Sequence, residues 1–210
     1  MNPNVIVIGT PRSGTSITAS VIQALGWHFA EDANWGGESK ALLDMHHRMI
    51  DRERQTFDLT RFEEDTARRV LSSLASPWLL KDPTFCYSLP CWLPLLTEAC
   101  DGQMPVLIWS MRSDDEVEAS WRRRTMLPNG GTYITENGEV AGKRSGITFQ
   151  AYREQAERAF DAWEGVKVRV DLDDLKSAAQ LVHTTKTQDR WRRLRTWSGF
   201  ALARLRKSGS

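Results

Sequence analysis

Residues Gly9 to Ser16, reading "GTPRSGTS", have the types and spacing to hold an anion. Gly9 and Gly14 let the chain curl closely. Backbone N–H groups from Arg12 to Ser16 would then point into the turn at the N-terminus of a following helix, a nest for a phosphate-type ligand. A nucleotide hydrolase carries lysine directly after the second glycine to reach the terminal phosphates, then a Ser or Thr for magnesium. Here Thr15 stands in the lysine's place. The cation lies inside the loop as Arg12, and Thr15 and Ser16 supply hydroxyl donors. A tight turn without a ligand would also use both glycines, but it gives no reason for the run Pro-Arg-Ser-Gly-Thr-Ser after an apolar strand.

The elements that must present this loop follow from periodicity. "VIVI" before it and the helical spacing after it read as strand, turn, helix. Strands are expected at Val5–Ile8, Trp78–Leu80, Val106–Met111 and Val166–Val170. Helices are expected at Thr15–Leu25, Ser39–Arg54, Arg61–Ala75, Leu89–Ala99, Asp114–Arg124, Phe149–Trp163 and Leu172–Val182. Runs apolar on both pleat faces, such as "VIVIG" and "VLIWS", suit central strands of a parallel sheet covered by helices on both sides. The fold class expected is therefore α/β, a P-loop-type three-layer sandwich with a central, mainly parallel sheet. Residues 1–185 form one domain, and 186–210 a basic amphipathic tail whose apolar stripe could dock on it or whose arginines could meet an anionic surface. The Gly- and Asn-rich stretch Leu127–Gly146 is expected to be a long mobile loop, either a surface excursion or a lid.

The chain has 210 residues, 40% hydrophobic and 26% charged, enough for one domain with a real core. Lys+Arg 28 against Asp+Glu 27 gives no global charge argument for nucleic acid. Neither a signal peptide nor a membrane span is legible, which makes a cytoplasmic location the expectation. Cys86, Cys91 and Cys100 lack CxxC spacing and point to neither a disulfide framework nor zinc.

"PRSGTS" resembles the 5′-phosphosulfate loop, commonly PRSGTT or PKSGTT, of sulfotransferases that use 3′-phosphoadenosine 5′-phosphosulfate (PAPS). In that family a strand-end Arg and a Ser eight residues on hold the 3′-phosphate. "LIWSMRSDDEVEASWRRR" offers Arg112 and Ser120, a bidentate fork and a neutral donor. The turn reads "RSDDE" where the family often has "RDP". The same segment also reads as a helix with acid at its start and base at its end. "WLLKDPTF" resembles the "KDP" segment of bacterial and tyrosylprotein members, placing Lys81 at a strand end; pairing of Lys81 with Asp82 or Asp44 at the surface is the alternative. The resemblance runs from Val5 to about Leu175, and the RxxGxxGxWK segment of the cytosolic small-molecule branch is absent.

The resemblance implies sulfuryl transfer from PAPS, a co-substrate, to a hydroxyl or amine of a small-molecule, glycan or peptide acceptor, with no metal. Cofactor binding would fall to Arg12, Ser13, Gly14, Thr15, Ser16, Arg112 and Ser120, and catalysis to Arg12, Lys81 and a base, for which Glu38 is taken. Glu38 could equally only cap the helix it precedes. Glu31 and Asp32 are competing bases, and His28, His46 and His47 further candidates, the last two more in keeping with solvated or packed positions. A small-molecule kinase of the P-loop fold and a non-catalytic nucleotide-binding protein are the rival readings.

Overall fold

The computed structural model describes residues 3–100, 102–127 and 131–175. Strand β1 (Val5–Ile8) is buried along its whole length. Helix α1 (Thr15–Ala24) follows the glycine loop, and α2 (Lys40–Met49) follows a turn-rich stretch. The chain then forms a short hairpin, β2 (Ile50–Asp51) and β3 (Thr56–Phe57), and helix α3 (Glu64–Ser72). Strand β4 (Leu79–Lys81) leads into α4 (Phe85–Ala99), and β5 (Val106–Met111) into α5 (Asp114–Thr125). A second hairpin, β6 (Thr132–Ile134) and β7 (Val140–Gly142), precedes α6 (Phe149–Asp161) and β8 (Lys167–Asp171).

Four strands form one parallel sheet in the order β4-β1-β5-β8, flanked by helices. Alternation along β1 sorts its side chains into two cores. Ile6 and Ile8 join Leu80, Leu107 and Trp109 under residues of α2 to α6, while Val5 and Val7 join Leu79 and Val106 against Ala19 of α1. Apolar side chains on both faces explain why "VIVI" carries no polar residue. The chain leaves β1 for β4 on one side, then crosses to β5 on the other. β1 is thus the point where strand order reverses, and a crevice opens at its carboxyl end. The glycine loop begins there.

Differences from the sequence expectation have local causes. The helix expected over Ser39–Arg54 stops at Met49, because the Asp51 carboxylate accepts from the backbone N–H groups of Glu53 and Arg54 and turns the chain into the β2–β3 hairpin. α4 begins at Phe85, four residues before the expectation, and runs through Pro90 and Pro94. Each proline removes a backbone donor, which the fully buried Phe85, Trp92 and Leu96 of the same helix offset by packing. The stretch expected as a mobile loop holds the β6–β7 hairpin: Gly138 takes φ 80° in its turn, Val140 and Ala141 are buried, and Thr132 Oγ1 donates to the Trp121 carbonyl at 2.9 Å. Residues 172–175 begin a helical turn. The remainder of the Leu172–Val182 helix, the 185/186 boundary and the tail lie outside the described residues. Among the described residues no helix is long and apolar enough to cross a membrane.

Candidate functional site

Two elements hold the loop from outside. Trp121 of α5 donates its indole N–H to the Pro11 carbonyl at 2.6 Å. Ser110 of β5 donates to the Ser13 carbonyl at 3.1 Å and shares a hydrogen bond with Thr18 of α1 at 2.9 Å. A Cβ on Gly9 would lie 2.6 Å from Ser13 Oγ and 2.7 Å from the Ser110 carbonyl, so only glycine lets the loop come this close to β5. Gly14 sits at φ 94°, where a Cβ would also meet Leu172 Cδ1 at 2.5 Å. Gly14 is the N-cap of α1. No side chain caps that helix and no acid occupies its first turn, so its positive end is left for an outside anion. Thr15 is buried at this end, and Ser13 Oγ is buried without a partner among the described residues.

Arg12 adopts φ 79°, uncommon for a residue with a Cβ. Its Nε donates to Ser120 Oγ at 3.3 Å, joining the two motifs that the sequence separates by more than a hundred residues. The guanidinium pKa is lowered, by burial first and then by Arg124, Arg112 and Arg123. Four arginines therefore converge. Arg123 and Arg124 escaped the sequence reading because the basic end of α5 has an ordinary explanation in the helix dipole. The available signal was their spacing of three and four residues from Ser120, which puts them beside it on the helix. Arg112 spreads its fork over Glu116, with Nε–Oε2 3.1 Å and Nη2–Oε1 3.0 Å, and Ser113 Oγ donates to the same carboxylate. An anion taking this fork must compete with Glu116.

Lys81, the last residue of β4, is 3% exposed. Its ammonium donates to Ser16 Oγ at 3.0 Å and to Glu38 Oε1. The alternative surface pairing with Asp82 or Asp44 is not the arrangement seen. Glu38 is in turn fixed by Asn34, whose side-chain amide donates to Oε2 at 3.0 Å. It does not cap α2: Ser39 is the N-cap, accepting from Leu42 N, and Asp32 accepts from Ser39 Oγ at 3.0 Å and Ala41 N at 2.8 Å. Asp32 thus has a structural duty. Glu31 is exposed. Trp35, 97% exposed on the turn that carries Glu38, is an aromatic face the sequence reading passed over.

The histidines divide. His28 is exposed and bridges Trp78 at the start of β4, the opposite end from the loop. His47 is exposed beside Arg144, and burial and that cation lower its pKa. His46 is fully buried, with Nδ1 2.8 Å from Asp82 Oδ2.

The loop, Ser16, Lys81 and Glu38 form one cluster, and Arg12, Ser120, Arg112 and the end of α5 form its other flank. This arrangement, with cations on two sides and a carboxylate at its edge, could hold an anion. Neither family models nor curated proteins give a match to the chain.

Proposed function

We propose that the protein is a P-loop-type sulfotransferase that moves a sulfuryl group from PAPS to a hydroxyl or amine acceptor. The observation that carries this reading is the junction of Lys81 with both Ser16 of the loop and the Glu38 carboxylate. The open α1 N-terminus, the unpartnered Ser13 hydroxyl and the close-packed Gly9 fit a 5′-phosphosulfate, and Arg112 and Ser120 fit a 3′-phosphate. Bound PAPS would supply an activated sulfuryl group, and the rest falls to the chain's own residues.

Arg12 and Lys81 place positive charge against the oxygens of the moving group and against the negative charge that develops on the departing phosphate oxygen. Glu38 accepts the acceptor's proton as the acceptor oxygen or nitrogen bonds to sulfur and the sulfur–oxygen bond to the phosphate breaks, leaving 3′-phosphoadenosine 5′-phosphate (PAP). Lys81 orients Glu38 beforehand through their hydrogen bond. Thr15, in place of the hydrolase lysine, argues against a kinase, and the joined Arg12–Ser120 and Lys81–Glu38 pairs argue against a decayed site.

The test is incubation with [35S]PAPS and a panel of phenols, sugars and amines in excess EDTA. Labelled product in chelator supports the reading. Transfer from [γ-32P]ATP that needs magnesium, with none from PAPS, would replace it with the kinase.

A further inference from the structure

The strongest buried polar cluster lies outside the anion nest. His46 of α2 is fully buried, and its Nδ1 stands 2.8 Å from Asp82 Oδ2 and 2.8 Å from Thr84 Oγ1, while Nε2 stands 2.9 Å from Ser88 Oγ. Asp82 is 2% exposed, and its Oδ1 accepts from Thr84 N at 2.8 Å. Asp-His-Ser in this connectivity matches a hydrolase triad. Ser88, however, is 0% exposed, so no substrate reaches it and the cluster is not a nucleophile.

Its place in the chain gives it another role. Asp82 directly follows Lys81, and His46 lies on the helix that begins just after Glu38. The same two segments are therefore bridged twice: Glu38 to Lys81 at the mouth of the site, and His46 to Asp82 two helical turns deeper. α2 is a rigid rod between the two bridges. A buried ionic hydrogen bond at one end restricts both the rotation of α2 and its slide along β4. We infer that His46 and Asp82 are positioning residues: a pin that sets where α2 presents Glu38 to the Lys81 ammonium. The catalytic meaning of the pin rests on the sulfuryl-transfer reading, but its existence does not.

The test reads the site without turnover. Trace acylation of lysines in the folded protein, followed peptide by peptide by mass spectrometry, measures how often Lys81 opens. His46→Gln places its amide where Nε2 was, keeping a partner for Ser88 and losing Asp82. His46→Asn places its amide where Nδ1 was and keeps Asp82. The expected result is about tenfold faster labelling of Lys81 in His46→Gln, as for a local opening made that much more frequent. Lys143 and Lys167 should be unchanged, and His46→Asn should stay close to wild type. Equal labelling of Lys81 in both folded variants and wild type overturns the pin, as does a rise shared by all three lysines.

Should His46→Gln not fold, the wild-type protein carries the test. In sub-denaturing urea, Lys81 labelling and deuterium exchange at the His46 ring C2 position should follow one opening transition, and two separate transitions overturn the proposal. Loss of PAP binding by the wild type would remove the sulfotransferase reading and leave these outcomes as they stand.

Discussion

Glu38 meets Lys81 and Asn34 but takes no part in capping α2, which separates it from its competitors. Glu38→Gln should cut turnover by about a hundredfold to ten-thousandfold and leave PAP affinity nearly unchanged, because proton removal belongs to the acceptor side. Asp32→Ala should instead lower stability by about 1 kcal/mol, the usual cost of a lost helix cap, with turnover per folded molecule retained. Turnover and PAP titration, with urea melts alongside, separate the two. A dead Asp32→Ala with unchanged stability would exchange their roles. At the other flank, Arg112→Ala should weaken PAP by about 1.5 to 3 kcal/mol, the scale of one charged hydrogen-bond partner. It should hardly touch adenosine 5′-phosphosulfate, which lacks the 3′-phosphate; equal losses would remove Arg112 from that site.

At the scale of elements, the loop owes its shape to neighbours distant in sequence. Trp121→Phe keeps an aromatic ring but deletes the donor to Pro11 and part of the buried indole's volume, and should cost about 1 kcal/mol for the hydrogen bond and more for the space left, together with PAP affinity. An unchanged affinity would mean that α5 does not shape the nest. Asp82 has its own signature in pH. Burial raises its pKa, but His46 and the Thr84 hydrogen bonds outweigh that and hold it below the ordinary value. A carboxylate depressed on folding contributes stability above its unfolded pKa, and that contribution is lost as pH falls through the folded value. The stability advantage of wild type over Asp82→Asn should therefore be complete above about pH 5 and shrink as pH falls below about 4, in urea melts across that range. A gap that stays constant would mean that folding leaves the Asp82 pKa unshifted, and one that widens as pH falls would show Asp82 protonated in the folded protein. Sequence could expose the glycine loop, because Gly, Arg and hydroxyl residues are contiguous there. It could not expose the His46–Asp82 bridge, whose partners lie 36 residues apart on elements with no shared pattern. A buried polar pair also leaves no mark in hydrophobic periodicity.

For the whole molecule, the four sheet strands were legible within one residue: β1 and β5 are β-branched or aromatic runs with apolar residues on both faces, β4 is a short buried apolar run, and β8 shows the valine alternation of an edge strand. Strand order was not, since which strand lies beside which depends on crossovers the local sequence does not encode. The β2–β3 and β6–β7 hairpins were missed for the opposite reason: with two or three residues a side, they lack enough repeats for a period to show. The order β4-β1-β5-β8 nonetheless decides which residues of the candidate site meet. It brings the ends of β1, β4 and β5 together, so that Arg12, Lys81 and Arg112 approach one crevice. The most direct measurement is the thermal shift of the purified protein with PAP against ATP, both without magnesium. A hundredfold excess over the dissociation constant stabilises by about 2.7 kcal/mol, which for a domain of this size raises the midpoint by about 5 to 10 °C. PAP should give this shift, and ATP a much smaller one. A shift with ATP that exceeds that with PAP, or none with PAP at millimolar concentration, would contradict the assignment of this nest to PAPS.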